Sequence, residues 1–109
     1  MIDKRLMLCG IAMKAGKITS GSNMVEESIR YGKAFLVIIS EDASENTKKR
    51  ISDKCSFYHV PYIINGTMDE LGHMIGKEAR SVISVDDEGF ASQIIKKFKD
   101  DKLLKTYNE

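Results

Sequence analysis

A three-layer α/β/α sandwich around a mixed four-stranded sheet is predicted for this chain by three observations. Segments with helical and with extended hydrophobic spacing alternate along it. Ala34 to Ile39 is an uninterrupted apolar run of six, and the length of 109 residues supports one hydrophobic core. Such a run, rich in branched residues and too short for a helix, reads as a strand buried on both faces at the centre of a sheet. Each crossover helix must cover one sheet face, so alternating elements place helices on both sides. With 42% hydrophobic and 30% charged residues the chain has the composition of a domain that folds alone.

Ile2, Leu6, Cys9 and Met13 recur at steps of four, three and four, which predicts a first helix ending near Ala15 and Gly16. Lys17 to Ser20 forms a short strand, and Gly21-Ser22 opens a second helix with Val25 and Ile29 as its buried stripe, closing near Gly32. After the central strand, Asp42 or Ser44 caps a third helix in which Thr47, Ile51, Cys55 and Tyr58 face inward while Lys48, Lys49 and Arg50 face water. Val60 to Ile64 is the third strand, with Pro61 near its start, where a missing N–H is tolerated. Thr67, with Glu70 three residues later, is a capping box for a short fourth helix with Leu71 and Ile75 inward. Ser81 to Val85 is the fourth strand, and Phe90, Ala91, Ile94, Ile95 and Phe98 line the last helix. Residues 1–98 therefore form a single domain, and the charged segment 99–109 has little to bury and is expected to fray.

Charge and composition exclude several function classes. The net charge is +1, so attraction to nucleic acid must come from local clustering. Residues 1–40 carry six cations against three acids, an excess of +3. Cys9 and Cys55 lie far apart on helices and read as reduced, buried thiols. Lys4 and Arg5 before a short apolar run ending in Cys9 mimic a lipoprotein signal, but Leu8 occupies the position that needs a small residue. No stretch approaches the roughly 20 apolar residues of a membrane span, and a cytoplasmic protein is expected.

Catalytic constellations are missing from the pattern. Cys55 and His59 share helical spacing, yet two ligands do not make a zinc site. Gly72 to Lys77 is one residue short of a phosphate loop, and Glu78 stands where a hydroxyl would hold magnesium. Asp86, Asp87 and Glu88 suit a helix start better than a calcium site. A non-enzymatic protein with no metal and no cofactor is expected. The segment Gly16-Lys17-Ile18-Thr19-Ser20-Gly21-Ser22-Asn23 differs, combining glycine, hydroxyls, an amide and a lysine at a helix entrance. Free N–H groups and the positive end of the helix dipole favour a phosphate there, and Asn23 offers donor and acceptor to a base edge. A glycine turn and then a serine cap would explain most of the same residues.

Ala15-Gly16-Lys17, Gly21-Ser22-Asn23, Gly32-Lys33-Ala34, Glu41-Asp42-Ala43-Ser44, Val60-Pro61-Tyr62, Leu71-Gly72 and Ile75-Gly76-Lys77-Glu78-Ala79-Arg80 occur in an order and spacing that cover nearly the whole chain. In these it resembles the kink-turn-binding superfamily of L-seven-Ae-like ribosomal proteins, most closely its small bacterial YlxQ-type members. The resemblance implies the same sandwich and binding of structured RNA, kink-turn or ribosomal, with the ribosome as a setting. It also implies a contact set of Lys17, Gly21, Ser22, Asn23, Lys33, Ile64 and Arg80. Lys17 and Lys33 would position phosphates, Asn23 would read base edges, and Ile64, on the loop after the third strand, would pack against an extruded base. The chain departs from the family pattern at Met24, where the family has Glu, and at Glu27, where it has Lys. An acid in the first turns stabilises the helix but repels phosphate. The competing expectation is a protein-interaction adaptor that keeps the fold without RNA affinity, for which Glu26, Glu27 and the near-neutral charge speak.

Overall fold

The computed structural model describes residues 1–107. Asp3 caps a 3-10 turn, Lys4–Leu6, which leads into α1 (Leu8–Lys14). Next come β1 (Ile18–Ser20), α2 (Ser22–Arg30), β2 (Leu36–Ile39), α3 (Glu45–Tyr58), β3 (Tyr62–Ile64), α4 (Met68–Met74), β4 (Val82–Val85), α5 (Glu88–Lys97) and β5 (Leu104–Lys105). The strands form one sheet in the order β1-β4-β2-β3-β5. β2 and β3 run parallel, and the other three pairs are antiparallel.

Alternation along β2 divides the core. Leu36 and Ile38 join Leu6, Cys9, Leu71, Ile75, Ile94 and Phe98 beneath α1, α4 and α5, whereas Val37 and Ile39 join Val25, Ile29, Ile51 and Cys55 beneath α2 and α3. The sandwich is thus as expected, with β2 in the middle of the sheet, but the sheet has five strands rather than four. The fifth comes from the segment expected to fray. Leu104 pairs with Ile63 and Lys105 with Tyr62, so the otherwise open edge of β3 is covered. Tyr107 extends the docking by hydrogen-bonding Ser56 at 2.9 Å and stacking on His59. The last two positions of the expected tail, 108 and 109, lie outside the described residues.

The capping signals hold where they are local. Ser44, rather than Asp42, caps α3 by accepting from the Thr47 N–H at 3.1 Å, and Thr67 with Glu70 completes the capping box of α4. The three-acid stretch resolves into separate roles. Asp87 caps α5 by accepting from the Phe90 N–H at 2.9 Å, while Asp86 turns away and accepts from the hydroxyls of Thr19, Ser28 and Ser84. One carboxylate thereby ties β1, α2 and β4 together. The path of the chain after α4 depends on one close approach. A Cβ on Gly72 would lie 1.9 Å from the Glu78 carbonyl oxygen, so only glycine lets this segment fold back across the helix.

Candidate nucleic-acid interface

The strand directions give the sheet two distinct ends. β1, β2 and β3 finish at one end, where β4 begins and where α2, α3 and α4 all start. This upper end brings three chain segments together. Gly21 donates its N–H to the Val82 carbonyl at 2.9 Å, and Ser40 donates to the Ser81 carbonyl at 2.8 Å. The returning segment after α4, Ile75 to Ser81, is thus drawn against the start of α2.

That start is open. Gly21 occupies the N-cap with φ 94° and ψ 142°, a conformation that a side chain at this position would oppose, and no side chain caps the helix. Ser22 is the first helical residue and not the cap. α3, α4 and α5 each carry a side-chain cap, so α2 differs from them in leaving the first-turn N–H groups of Ser22, Asn23 and Met24 available. These groups and the helix dipole together present partial positive charge.

Arg80 adds a full charge beside them. Its Nε donates to Ser20 Oγ at 3.1 Å and its Nη1 to the carbonyls of Glu78 and Ala79 at 3.2 and 3.0 Å. All three acceptors are neutral, so the guanidinium is positioned without being neutralised. Two acids of this end are engaged elsewhere: Glu41 accepts from the Gly66 N–H at 3.0 Å and Asp42 from the Met68 N–H at 2.8 Å. Both carboxylates order the turn between β3 and α4 instead of facing α2.

Five of the seven expected contact residues therefore share one end: Gly21, Ser22, Asn23, Arg80 and Ile64. Ile64 terminates β3, paired with Ile39, and is half-buried against the α2/α3 core. It stands three strand spacings from β1, or about 14 Å. Lys17 and Lys33 are not with them. The Lys17 carbonyl accepts from the Asp86 N–H at 2.7 Å, at the end where β4 finishes, about 10 Å below Ser20 along β1. Lys33 comes after the last turn of α2, about 14 Å along the helix from Gly21. Chain neighbours of the helix start are carried away because a strand and a helix are both extended objects.

Two contributors escape a reading of the sequence alone. The α4–β4 connection, with exposed Lys77 and Ala79, borders the site only because Gly72 lets it fold back. Arg50, expected to face water, instead reaches across from α3 and donates through Nη1 to Asn23 Oδ1 and Glu26 Oε1, each at 3.3 Å. Glu27 lies on the opposite flank of α2, where it shares a shallow groove with Thr19, Met24, Tyr31 and Lys33.

Among the described residues no group of three or more His, Cys, Asp or Glu side chains could hold a metal. Burial pushes the thiols of Cys9 and Cys55 up to about 12, which keeps them protonated and unreactive. No helix among the described residues is long and apolar enough to cross a membrane.

Residues 6–95 match the model of the ribosomal protein L7Ae/L30e/S12e/Gadd45 family. The chain belongs to this family. It is 48% identical over 88 residues to the RNA-binding protein YlxQ of Bacillus subtilis strain 168, covering 81% of this chain and 88% of that one. It is 31% identical over 95 residues to the large ribosomal subunit protein eL8 of Thermoplasma volcanium, covering 86% and 78%. Among solved structures, a protein of unknown function from Bacillus halodurans C superposes with TM-score 0.84 at 37% identity, covering 89% of this chain and 98% of the other. The Giardia lamblia 15.5kD RNA binding protein shares the fold, with TM-score 0.76, 24% identity and coverage of 90% and 98%.

Proposed function

We propose that this family member is a cytoplasmic, non-enzymatic RNA-binding protein that recognises a sharply bent, folded RNA, of kink-turn type, in a ribosomal setting. One observation carries the reading: the uncapped start of α2, with free N–H groups at Ser22, Asn23 and Met24, lies next to the un-neutralised Arg80 guanidinium. A regular duplex spreads its phosphates along a shallow groove, whereas a sharp bend crowds them and unstacks bases. A compact cluster of donors suits the second. The names of the relatives, an RNA-binding protein and a ribosomal protein, support the same reading.

In this proposal Gly21, Ser22, Asn23 and Arg80 make the central contacts, and Ile64 gives an apolar ledge for an unstacked base. Lys17 and Lys33, at the far end of the sheet, act as long-range attraction on RNA arms that extend beyond the bend.

The test is an anisotropy titration of a labelled kink-turn RNA and a matched straight duplex at about 0.15 M salt, where weak surface attraction is screened. Binding to the bent RNA at least tenfold tighter is expected, since specific contacts exceed non-specific ones by larger factors than this. Equal, weak binding to both would remove the reading. One feature favours the adaptor alternative in that event: Met7 and Ile11 are 54% and 58% exposed beside a groove between α1 and α4, lined also by His73 and Met74.

A further inference from the structure

We infer that Arg50 of α3 is a positioning residue that fixes the orientation of the Asn23 carboxamide, engaging its oxygen and leaving Nδ2 without a protein partner among the described residues; the inference rests on the RNA-binding reading above for its consequence but not for its geometry. Asn23 and Glu26 are three apart on α2 and so project from one helix face. The Arg50 guanidinium spans both, with Nη1 at 3.3 Å from Asn23 Oδ1 and 3.3 Å from Glu26 Oε1. A guanidinium only donates, so its partner on Asn23 must be the oxygen, and this fixes the orientation of that carboxamide. Asn23 Nδ2 has no partner among the described residues and is exposed with the rest of the side chain.

The cation is itself held. Its side chain is 35% exposed, it pairs with Glu26 at 3.3 Å, and Glu26 is drawn to the same spot by Lys54 at 4.0 Å. Swinging Arg50 away would break its pairing with Glu26 and leave the buried side of that carboxylate to Lys54 alone. The guanidinium therefore stays between α2 and α3, and Asn23 Oδ1 stays turned toward it.

The consequence is chemical. An asparagine free to use both ends pairs with adenine, which offers an acceptor at N7 and a donor at N6. With one lone pair of Oδ1 engaged and that oxygen turned toward α3, Asn23 offers Nδ2 first, next to the N–H groups of Ser22 and Met24. A surface rich in donors favours acceptor-rich edges: phosphate oxygens, or the adjacent N7 and O6 of guanine. Arg50 would act on discrimination through Asn23 without itself touching RNA.

Two readouts test this. In the free protein, 15N NMR compares the Asn23 side-chain NH2 order parameter in the wild type and in Arg50→Met, which keeps the stem and removes the donors. A rigid amide in the wild type and a mobile one in the variant are expected; equal mobility in both overturns the lock, whatever RNA does. In the complex, kink-turn RNA is titrated alongside versions in which each guanine of the bend is replaced in turn by 7-deazaguanine. The wild type should lose roughly tenfold at one guanine, and Arg50→Met should lose little there. In an Asn23→Ala background Arg50→Met should change nothing further. Arg50→Lys, which keeps the charge and one donor, should restore part of the discrimination. Uniform weakening of all RNAs with the guanine effect intact would overturn the inference, because it marks an ordinary phosphate contact. If the wild type binds bent and straight RNA alike, the proposed function falls, and the NMR comparison still decides whether Arg50 holds Asn23.

Discussion

The two ends of the sheet are built from the same kinds of residue and do opposite things with them. At the upper end, Gly21, Ser22 and Asn23 begin a helix that no side chain caps, and their donors stay open to solvent. At the lower end, Thr19, Ser28 and Ser84 direct their hydroxyls onto one carboxylate, Asp86, and close a network between β1, α2 and β4. Small polar residues thus leave donors available where their groups are unmatched and tie elements together where they are matched. Residue type does not separate the two; the partner supplied by the rest of the fold does. A buried hydroxyl whose acceptor is removed costs free energy, while an exposed N–H without a partner is served by water until a ligand arrives.

This contrast can be broken most forcefully at Gly72. Gly72→Ala places a methyl 1.9 Å from the Glu78 carbonyl, which should cost about 3 kcal/mol in denaturant unfolding and displace the Arg80 segment from α2. A variant with wild-type stability would show that the returning segment is not held by this contact. Next in size is the lower end. Asp86→Ala strands the buried hydroxyls of Ser28 and Ser84 and should lower stability by about 2 kcal/mol, with discrimination between bent and straight RNA unchanged. Loss of discrimination without loss of stability would reverse the roles assigned to the two ends.

Asn23→Ala should do the converse. It leaves the melting temperature nearly unaltered and reduces the preference for bent RNA by roughly tenfold, whereas Lys17→Ala weakens both RNAs alike and flattens the salt dependence by about one unit of slope. Equal behaviour of the two variants would mean that the upper end carries no specificity.

The smallest effect concerns support for the β3–α4 turn. Asp3 is held below its ordinary value of 3.8 chiefly by its hydrogen bonds with Arg5, and it also accepts from Asn65 at 3.0 Å. A depressed folded-state value contributes stability above about 3.8 that is lost as pH falls through the folded value. Melting temperature should therefore decline on acidification below about pH 4, and Asp3→Asn should make that decline shallower. An unchanged slope in the variant would assign the acid sensitivity to other carboxylates.

Much of the fold was legible because its signals are short-range. Apolar spacing marked all five helices, the run ending at Ile39 marked the central strand, and Thr67 with Glu70 announced a cap that forms as read. β5 was missed because two residues, Leu104 and Lys105, carry no periodicity; what makes them a strand is the unpaired edge of β3. Arg50 was read as solvent-facing because its helix alone gives no hint of Asn23 on another. Asp86 looked like one acid of three at a helix start, and only the strands that meet there supply its hydroxyl partners.

For the candidate site the same division holds. Sequence alone determined that Gly21, Ser22 and Asn23 stand at a helix entrance, because glycine's backbone freedom and the spacing of Val25 and Ile29 are properties of neighbouring residues. The grouping was decided by tertiary structure. Antiparallel pairing of β1 with β4 delivers Arg80 to Ser20, while the lengths of β1 and α2 carry Lys17 and Lys33 to the other end. Proximity along a chain fades within a strand or a few helical turns, and beyond that distance only the packing of the sheet determines which residues meet.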